Sequence, residues 1–385
     1  MSAPTAPAAS AASAAEDRDP AAPSGGIPPR EALRLCLLGL ALAAVGNLTA
    51  TLYFDPVPGL EGGAPFMDHW KLFQYQASYA DLGFVRRGLV GSALGLAPDA
   101  APFWLPALAA LPALFLIAVM AAMLARLTQP GLAVALLVSP ALCLNIGFDL
   151  GRFDHINILL MLAVMARPGW SLCIAAPLML LIHEAALLAQ LPLLFALHLR
   201  RAGADPVFWA AGGAVLATLA ALMLLGARHS PEALAAHYPL ASPDALRVLT
   251  RGLTANIAEV WDYALNRMAR DLQIAFVLPV AYLALLVSVY LRAAGPGWPS
   301  LALAAMALSP LGLSVVGLDF ARWFALAAVN LIVLICLTAH RAPRATPRWQ
   351  VSALALFALP GPLGLVYPYP LGLFSVLEAL GLRAT

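Results

Sequence analysis

Eleven apolar stretches separated by short breaks run through the chain, and no other feature limits its fold as tightly. They cover 33-54, 102-125, 131-148, 152-166, 170-183, 185-199, 207-226, 273-292, 299-317, 322-339 and 350-367. With 62% hydrophobic and 11% charged residues among 385, there is too little charge to cover so much apolar surface in water. The bilayer is therefore the expected main solvent, and the expected fold class is all-α: a polytopic transmembrane helical bundle of about eleven spans, filling 31-385. Several stretches fall short of the roughly 20 residues that a perpendicular span needs. They are expected to extend into their polar flanks or to kink at Pro177 and Pro192.

Residues 1-30 are a different material, rich in Ala, Pro, Ser and Gly, and read as a disordered cytoplasmic tail. The apolar run that follows is long enough to stay as an uncleaved anchor. Cys36, Cys143, Cys173 and Cys336 all lie in apolar runs without ligand spacing, which argues against a disulfide framework or a zinc centre. No basic patch fits a nucleic acid, and no Gly-rich nucleotide motif or GxSxG elbow is present.

Orientation follows from arginine. With the N-terminus inside, the cytoplasmic ends carry Arg30 and Arg34, then Arg126, Arg167, the Arg200-Arg201 pair, Arg292, and Arg341, Arg344 and Arg348. The positive-inside rule then places the C-terminus outside and leaves two long extracytoplasmic loops, about 55-101 and 227-272. Arg86, Arg87, Arg247, Arg251, Arg267 and Arg270 strain that assignment, so these outer arginines need acids or anions as partners.

The first outer loop holds Met67-Asp68-His69-Trp70-Lys71-Leu72-Phe73-Gln74-Tyr75-Gln76-Ala77, whose spacing predicts an amphipathic helix on the membrane surface. Downstream, Tyr79-Ala80-Asp81-Leu82-Gly83-Phe84-Val85-Arg86-Arg87-Gly88 sets two guanidiniums between glycines. Such a turn can present guanidiniums and backbone N-H groups to a phosphate; the plainer alternative is lipid headgroups or pairing with Asp81. The second loop predicts a helical cap from about Asp244 to Asp271, with His229, His237 and Tyr238 as solvated positions.

At the outer mouths of the spans, Asp149, Arg152 and His155 are three apart and predict one helical stripe, with Asp154 and Asn157 on the next. His183-Glu184 marks a turn between two short spans, and Asp319 with Arg322 repeats the acid-to-arginine spacing. Ionisable groups at such depth are costly unless paired or wet, which makes a pocket the default reading; mutual neutralisation within helix packing is the alternative. HExxH is absent, and a divalent cation stays open as a cofactor without supporting ligand spacing.

The order of parts resembles the GT-C superfamily of membrane glycosyltransferases: an inside start, a long first outer loop with an early acid, short hairpins, and a second long outer loop after the seventh span. Asp68 stands in the acid position of that superfamily's weak motif, His69 replaces a second acid, and Tyr75 and Ala77 follow. The resemblance implies transfer of a sugar from a polyprenyl-phosphate donor to a hydroxyl of a glycan, lipid or protein acceptor at the outer face. Asp68 would be the base, with Arg86, Arg87 or Arg152 on the phosphate and His183 and Glu184 orienting hydroxyls. Alanine- and arginine-rich usage points to a GC-rich bacterial source and hence the inner membrane. The rivals are an O-antigen-type polymerase or ligase, a transporter or flippase, and a scaffold whose charge clusters face separate surfaces.

Overall fold

The computed structural model describes residues 28–51, 65–95, 101–225, 229–237, 253–267, 276–339 and 345–358. Most of the expected tail, the end of the eleventh stretch, and Tyr238, Arg247, Arg251 and Arg270 lie outside the described residues. Every regular element among the described residues is helical.

Among the described residues six helices are long and apolar enough to cross a membrane: Pro29–Ala50, Trp104–Leu124, Pro130–Phe148, Pro206–Leu224, Val277–Ala294 and Phe320–Ala339. A seventh is obtained if Trp298–Ala307 and Ser309–Val315, bent by 41°, count as one span. The remaining stretches form shorter pieces: Asp154–Ala166, Ser171–Ile182, Leu191–Ala202 and Arg348–Leu356. A helix of 13 residues rises about 20 Å, against about 30 Å of hydrocarbon. The apolar runs thus become helices, but several are too short to be full spans.

Phe320–Ala339 is the hub. Sixteen of its residues are buried, so it is apolar on all sides as a central helix must be. Pro29–Ala50 and Pro206–Leu224 are peripheral, with Leu33, Leu37, Leu48, Trp209, Leu216 and Leu224 turned outward. Pro130–Phe148 is broken at Pro140–Leu144, where Leu142 leaves helical geometry (φ −101, ψ −110).

The first helix meets this broken helix backbone to backbone. A Cβ on Gly147 would sit 1.8 Å from the Ala43 carbonyl oxygen, and one on Gly46 would sit 1.9 Å from that of Leu144. Beside this contact Asn47 fixes the chain where description resumes: its Nδ2 donates to the Phe66 and Gly147 carbonyls (2.7 and 3.2 Å), and its Oδ1 accepts from Phe66 N-H (2.8 Å). The chain at Phe66 is thereby locked onto the end of the broken helix.

The helix His69–Gln76 departs from the surface position that its pattern predicts. Asp68 and residues 71–78 are all buried, including the polar Lys71, Gln74, Gln76 and Ser78. Met67, Leu72 and Tyr75 pack with Leu105, Ala109, Phe153 and Ile182, so the helix is enclosed among the bundle's helices. In the second loop Val260 of Leu253–Asp262 packs on Phe320 at the head of the hub helix, while His229 Nε2 lies 2.7 Å from the Leu82 carbonyl of the first loop.

Gly147→Ala and Gly46→Ala should each lower the unfolding temperature of the purified protein, because overpacking against backbone costs about 1–3 kcal/mol. Gly131→Ala, whose Cβ would meet nothing nearer than Val351 at 3.7 Å, should leave it unchanged. Equal behaviour of the three variants would contradict the close approach.

A buried ionic string at one end of the bundle

Asp68 ends the extended chain before His69–Gln76 and caps that helix, Oδ1 accepting from Lys71 N-H at 3.0 Å. Its Oδ2 takes the Lys71 ammonium at 3.0 Å. Lys71 is 2% exposed; its Nζ also donates to the Phe148 carbonyl (3.1 Å) and lies 3.6 Å from Asp149. The ammonium thus clamps the first loop to the end of the broken helix.

The string continues through alternating charges. Asp149 meets Arg152 at 3.3 Å, Arg152 meets Asp319 at 3.2 Å, and Asp319 meets Arg322 at 3.4 Å. Arg322 Nε reaches Asp154 at 2.6 Å, and its Nη2 lies 2.9 Å from His183 Nε2. His183 Nδ1 accepts from Ala185 N-H at 3.0 Å, with Glu184 Oε2 3.6 Å away. A neutral imidazole has one acceptor nitrogen, so N-H donors on both sides disfavour the imidazolium.

Glu184 is gripped in turn by Arg87, Nε and Nη2 donating at 3.1 and 2.7 Å, and by Arg86 at 4.0 Å. Five carboxylates (Asp68, Asp149, Asp154, Glu184, Asp319) thus face five cations (Lys71, Arg86, Arg87, Arg152, Arg322), and the formal charges cancel. Burial is the largest single influence and raises the Glu184 carboxyl, but Arg87, through charge and a hydrogen bond, acts with Arg86 and the neighbouring His183 ring to outweigh it and hold the group well below the usual glutamate range.

Local backbone explains the placement. Arg87 has φ 64, the left-handed region rare for a side-chain-bearing residue, and is the sole such residue among those described. It caps Gly88–Leu94 in that conformation and turns its guanidinium toward Glu184. Asp149, Arg152 and His155 do not share the predicted helical stripe. Gly151 at φ 87 breaks the chain there, helix begins only at Asp154, and Asp149–Arg152 pair across a turn. A Cβ at Gly151 would also strike Met67 Cε at 2.7 Å.

The predicted site residues therefore converge with few exceptions. Asp81 exchanges hydrogen bonds with Ser78 at the start of Tyr79–Leu82. The side chain of His69 lies outside the described residues. His155 is buried beside the string. Lys71 is the member that sequence reasoning passed over; its signals were its status as the chain's single lysine and its place three residues after Asp68. Among the described residues no three His, Cys, Asp or Glu side chains group as metal ligands, since the clustered carboxylates face guanidinium or ammonium.

No family model, no curated protein and no solved structure matches the chain.

Exposure separates the carboxylates. The Asp319 side chain is 40% exposed and that of Glu184 29%, whereas those of Asp68 and Asp154 are 3% and 5% exposed. Under the string a narrow cleft, lined by Asn145, Asp149, Arg152, Asp154, His155 and Arg322, runs down to Val329, midway along the hub helix.

The opposite helix ends differ in kind. Arg201 donates to the Met165 carbonyl at 2.8 Å, Arg292 to that of Ala345 at 3.4 Å, and Gln129 exchanges bonds with Thr346 at 3.2 and 2.8 Å. Arg201 and Arg292 there meet backbone, whereas Arg34 lies 3.7 Å from Glu31.

Lys71→Met should destabilise the protein by about 3–5 kcal/mol, since it strands buried carboxylates. Lys71→Met with Asp149→Asn should recover part of that loss; no recovery would mean that Lys71 acts by packing alone. Because the folded Glu184 carboxyl titrates below the unfolded one, its pair with Arg87 contributes fully above pH about 4.3 and is lost as pH falls through the lower folded value. The melting-temperature gap between wild type and Glu184→Gln should stay constant from pH 8 to about 5 and shrink below about 4.

Proposed function

We propose that the protein is an integral-membrane glycosyltransferase that moves a sugar from a polyprenyl-phosphate donor to an acceptor hydroxyl at the extracytoplasmic face of a bacterial inner membrane. The observation that carries this reading is convergence: five separate segments send their ionisable groups into one connected string. A scaffold presenting charges to separate partners has no need of that arrangement. A transporter needs polar steps toward the other side, but Asn330 Nδ2 binds the Ala189 and Ala307 carbonyls at 2.7 and 3.3 Å, as a helix bridge does.

The orientation is supported by the two chemically distinct ends. Arginines bonded to carbonyls suit the cytoplasmic side, and the paired acids suit the outer side. All eleven stretches can serve as spans or half-spans on this view, the short helices leaving the string recessed by about 10 Å below the outer boundary.

Arg86 and Arg87 already hold one oxyanion, the carboxylate of Glu184, in a forked grip. A phosphate exchanging with Glu184 would find the same donors, and charge growing on the leaving phosphate would be stabilised by them. The base is better placed at Asp319 than at Asp68. Both oxygens of Asp68 are taken by Lys71, whereas Asp319 is accessible and uses Oδ2 for its arginines. Asp68 then serves as a helix cap and clamp.

The test is release of polyprenyl phosphate from polyprenyl-phosphate-linked sugars by protein in lipid nanodiscs. Asp319→Asn should lower turnover by roughly 100-fold while melting near the wild-type temperature, as loss of a general base does. Asp68→Asn should instead melt early. An Asp319→Asn enzyme of full activity would remove Asp319 from the mechanism, and absence of release from any donor sugar would sink the transferase reading.

A further inference from the structure

Two buried polar atoms beside the string meet no protein partner: Asp154 Oδ1 and His155 Nδ1. Their residues are 3% and 4% exposed, adjacent in sequence, and both line the cleft under Arg152 and Arg322. Buried polar groups in folded proteins are almost always satisfied, so two orphans on one cleft wall point to a group supplied by a ligand.

The chemistry narrows that group. The four charged residues that line the cleft, Asp149, Arg152, Asp154 and Arg322, already cancel, so a charged ligand group entering it would be uncompensated in a poorly solvated place. The Asp154 carboxylate can only accept, while an imidazole nitrogen either donates or accepts according to tautomer. A hydroxyl has the chemistry for both partners, able to donate to Asp154 Oδ1 and to exchange a hydrogen bond with His155 Nδ1. An ammonium could donate to both atoms but would bring an uncompensated charge, and a carboxylate offers no donor to Asp154. The lower walls are apolar, with Ile158, Leu326 and Val329, so the polar reach ends within one group's length.

We infer that Asp154 and His155 form a hydroxyl-anchoring subsite that selects a neutral, polyhydroxylated ligand by taking one of its hydroxyl or hydroxymethyl groups into the cleft. This rests on the transferase reading only in identifying that ligand as the donor or acceptor sugar. Anion recognition belongs to the Arg86–Arg87 grip at the rim, and neutral recognition to this inner wall.

The probes are methyl α-glycosides of glucose, galactose and mannose, with the methyl α-glycosides of glucuronic acid and glucosamine as charged counterparts, and thermal unfolding of the full chain in nanodiscs is the readout. At least one neutral glycoside should raise the melting temperature saturably, and neither charged analogue should. His155→Phe removes an orphan nitrogen without touching an ion pair, so it should melt at or above the wild-type temperature and lose the glycoside shift. His155→Gln keeps hydrogen-bonding capacity and should retain a shift weakened several-fold, which serves if the phenylalanine variant fails to fold. A shift that survives in His155→Phe, charged analogues that bind as well, or no shift in the wild type would overturn the subsite. Glycoside binding without any polyprenyl phosphate release would leave the subsite standing and remove the transferase.

Discussion

A charge taken out of water must meet an opposite charge, and that requirement organises this molecule. The alternating series from Asp68 to Arg87 joins the first loop, the turn at 149–153, the His183–Glu184 turn and the head of the hub helix. Such contacts are weak evidence for net stability, because desolvation offsets most of the Coulombic gain. Their value is specificity: any slip of one segment against another strands a partner. The glycine approach of the first helix to the broken one and the Asn47 bonds to Phe66 set the segments close enough for the series to close.

The division of labour within the series follows from exposure. Its buried half, Asp68, Lys71 and Asp149, clamps helix to turn. Its accessible half, Asp319, Glu184 and the two loop arginines, is where solvent and ligands meet charge. One connected network thus supplies a rigid base and a reactive rim.

Much of the fold was legible because apolar run length is a strong signal: each run that falls within the described residues is helical. The number of full spans was not, since a run of apolar residues does not reveal where Pro140 or the Ser309 bend interrupts it, or that Asp154–Ala166 stops after 13 residues. The site was legible as a set of costly side chains but not as a geometry. Lys71 looked like the wet face of an amphipathic helix because periodicity reports two faces, and says nothing of a partner waiting on the second one. The Asp149-Arg152-His155 spacing misled for a related reason: three-residue spacing implies a stripe only where the backbone is helical, and Gly151 ends that condition.

The pairing of Arg322 with Asp154 spans 168 residues. During synthesis the hairpin bearing Asp154 must wait for that whole interval before its counter-ion emerges from the ribosome. Until then the carboxylate has to be kept near water or beside Arg152, so the hairpin can seat fully only after the hub helix arrives. Assembly of this end of the protein is therefore a late event that closes from the C-terminal side, and nascent chains cut short of the hub helix should be recognised by membrane quality control as carrying an unmatched acid.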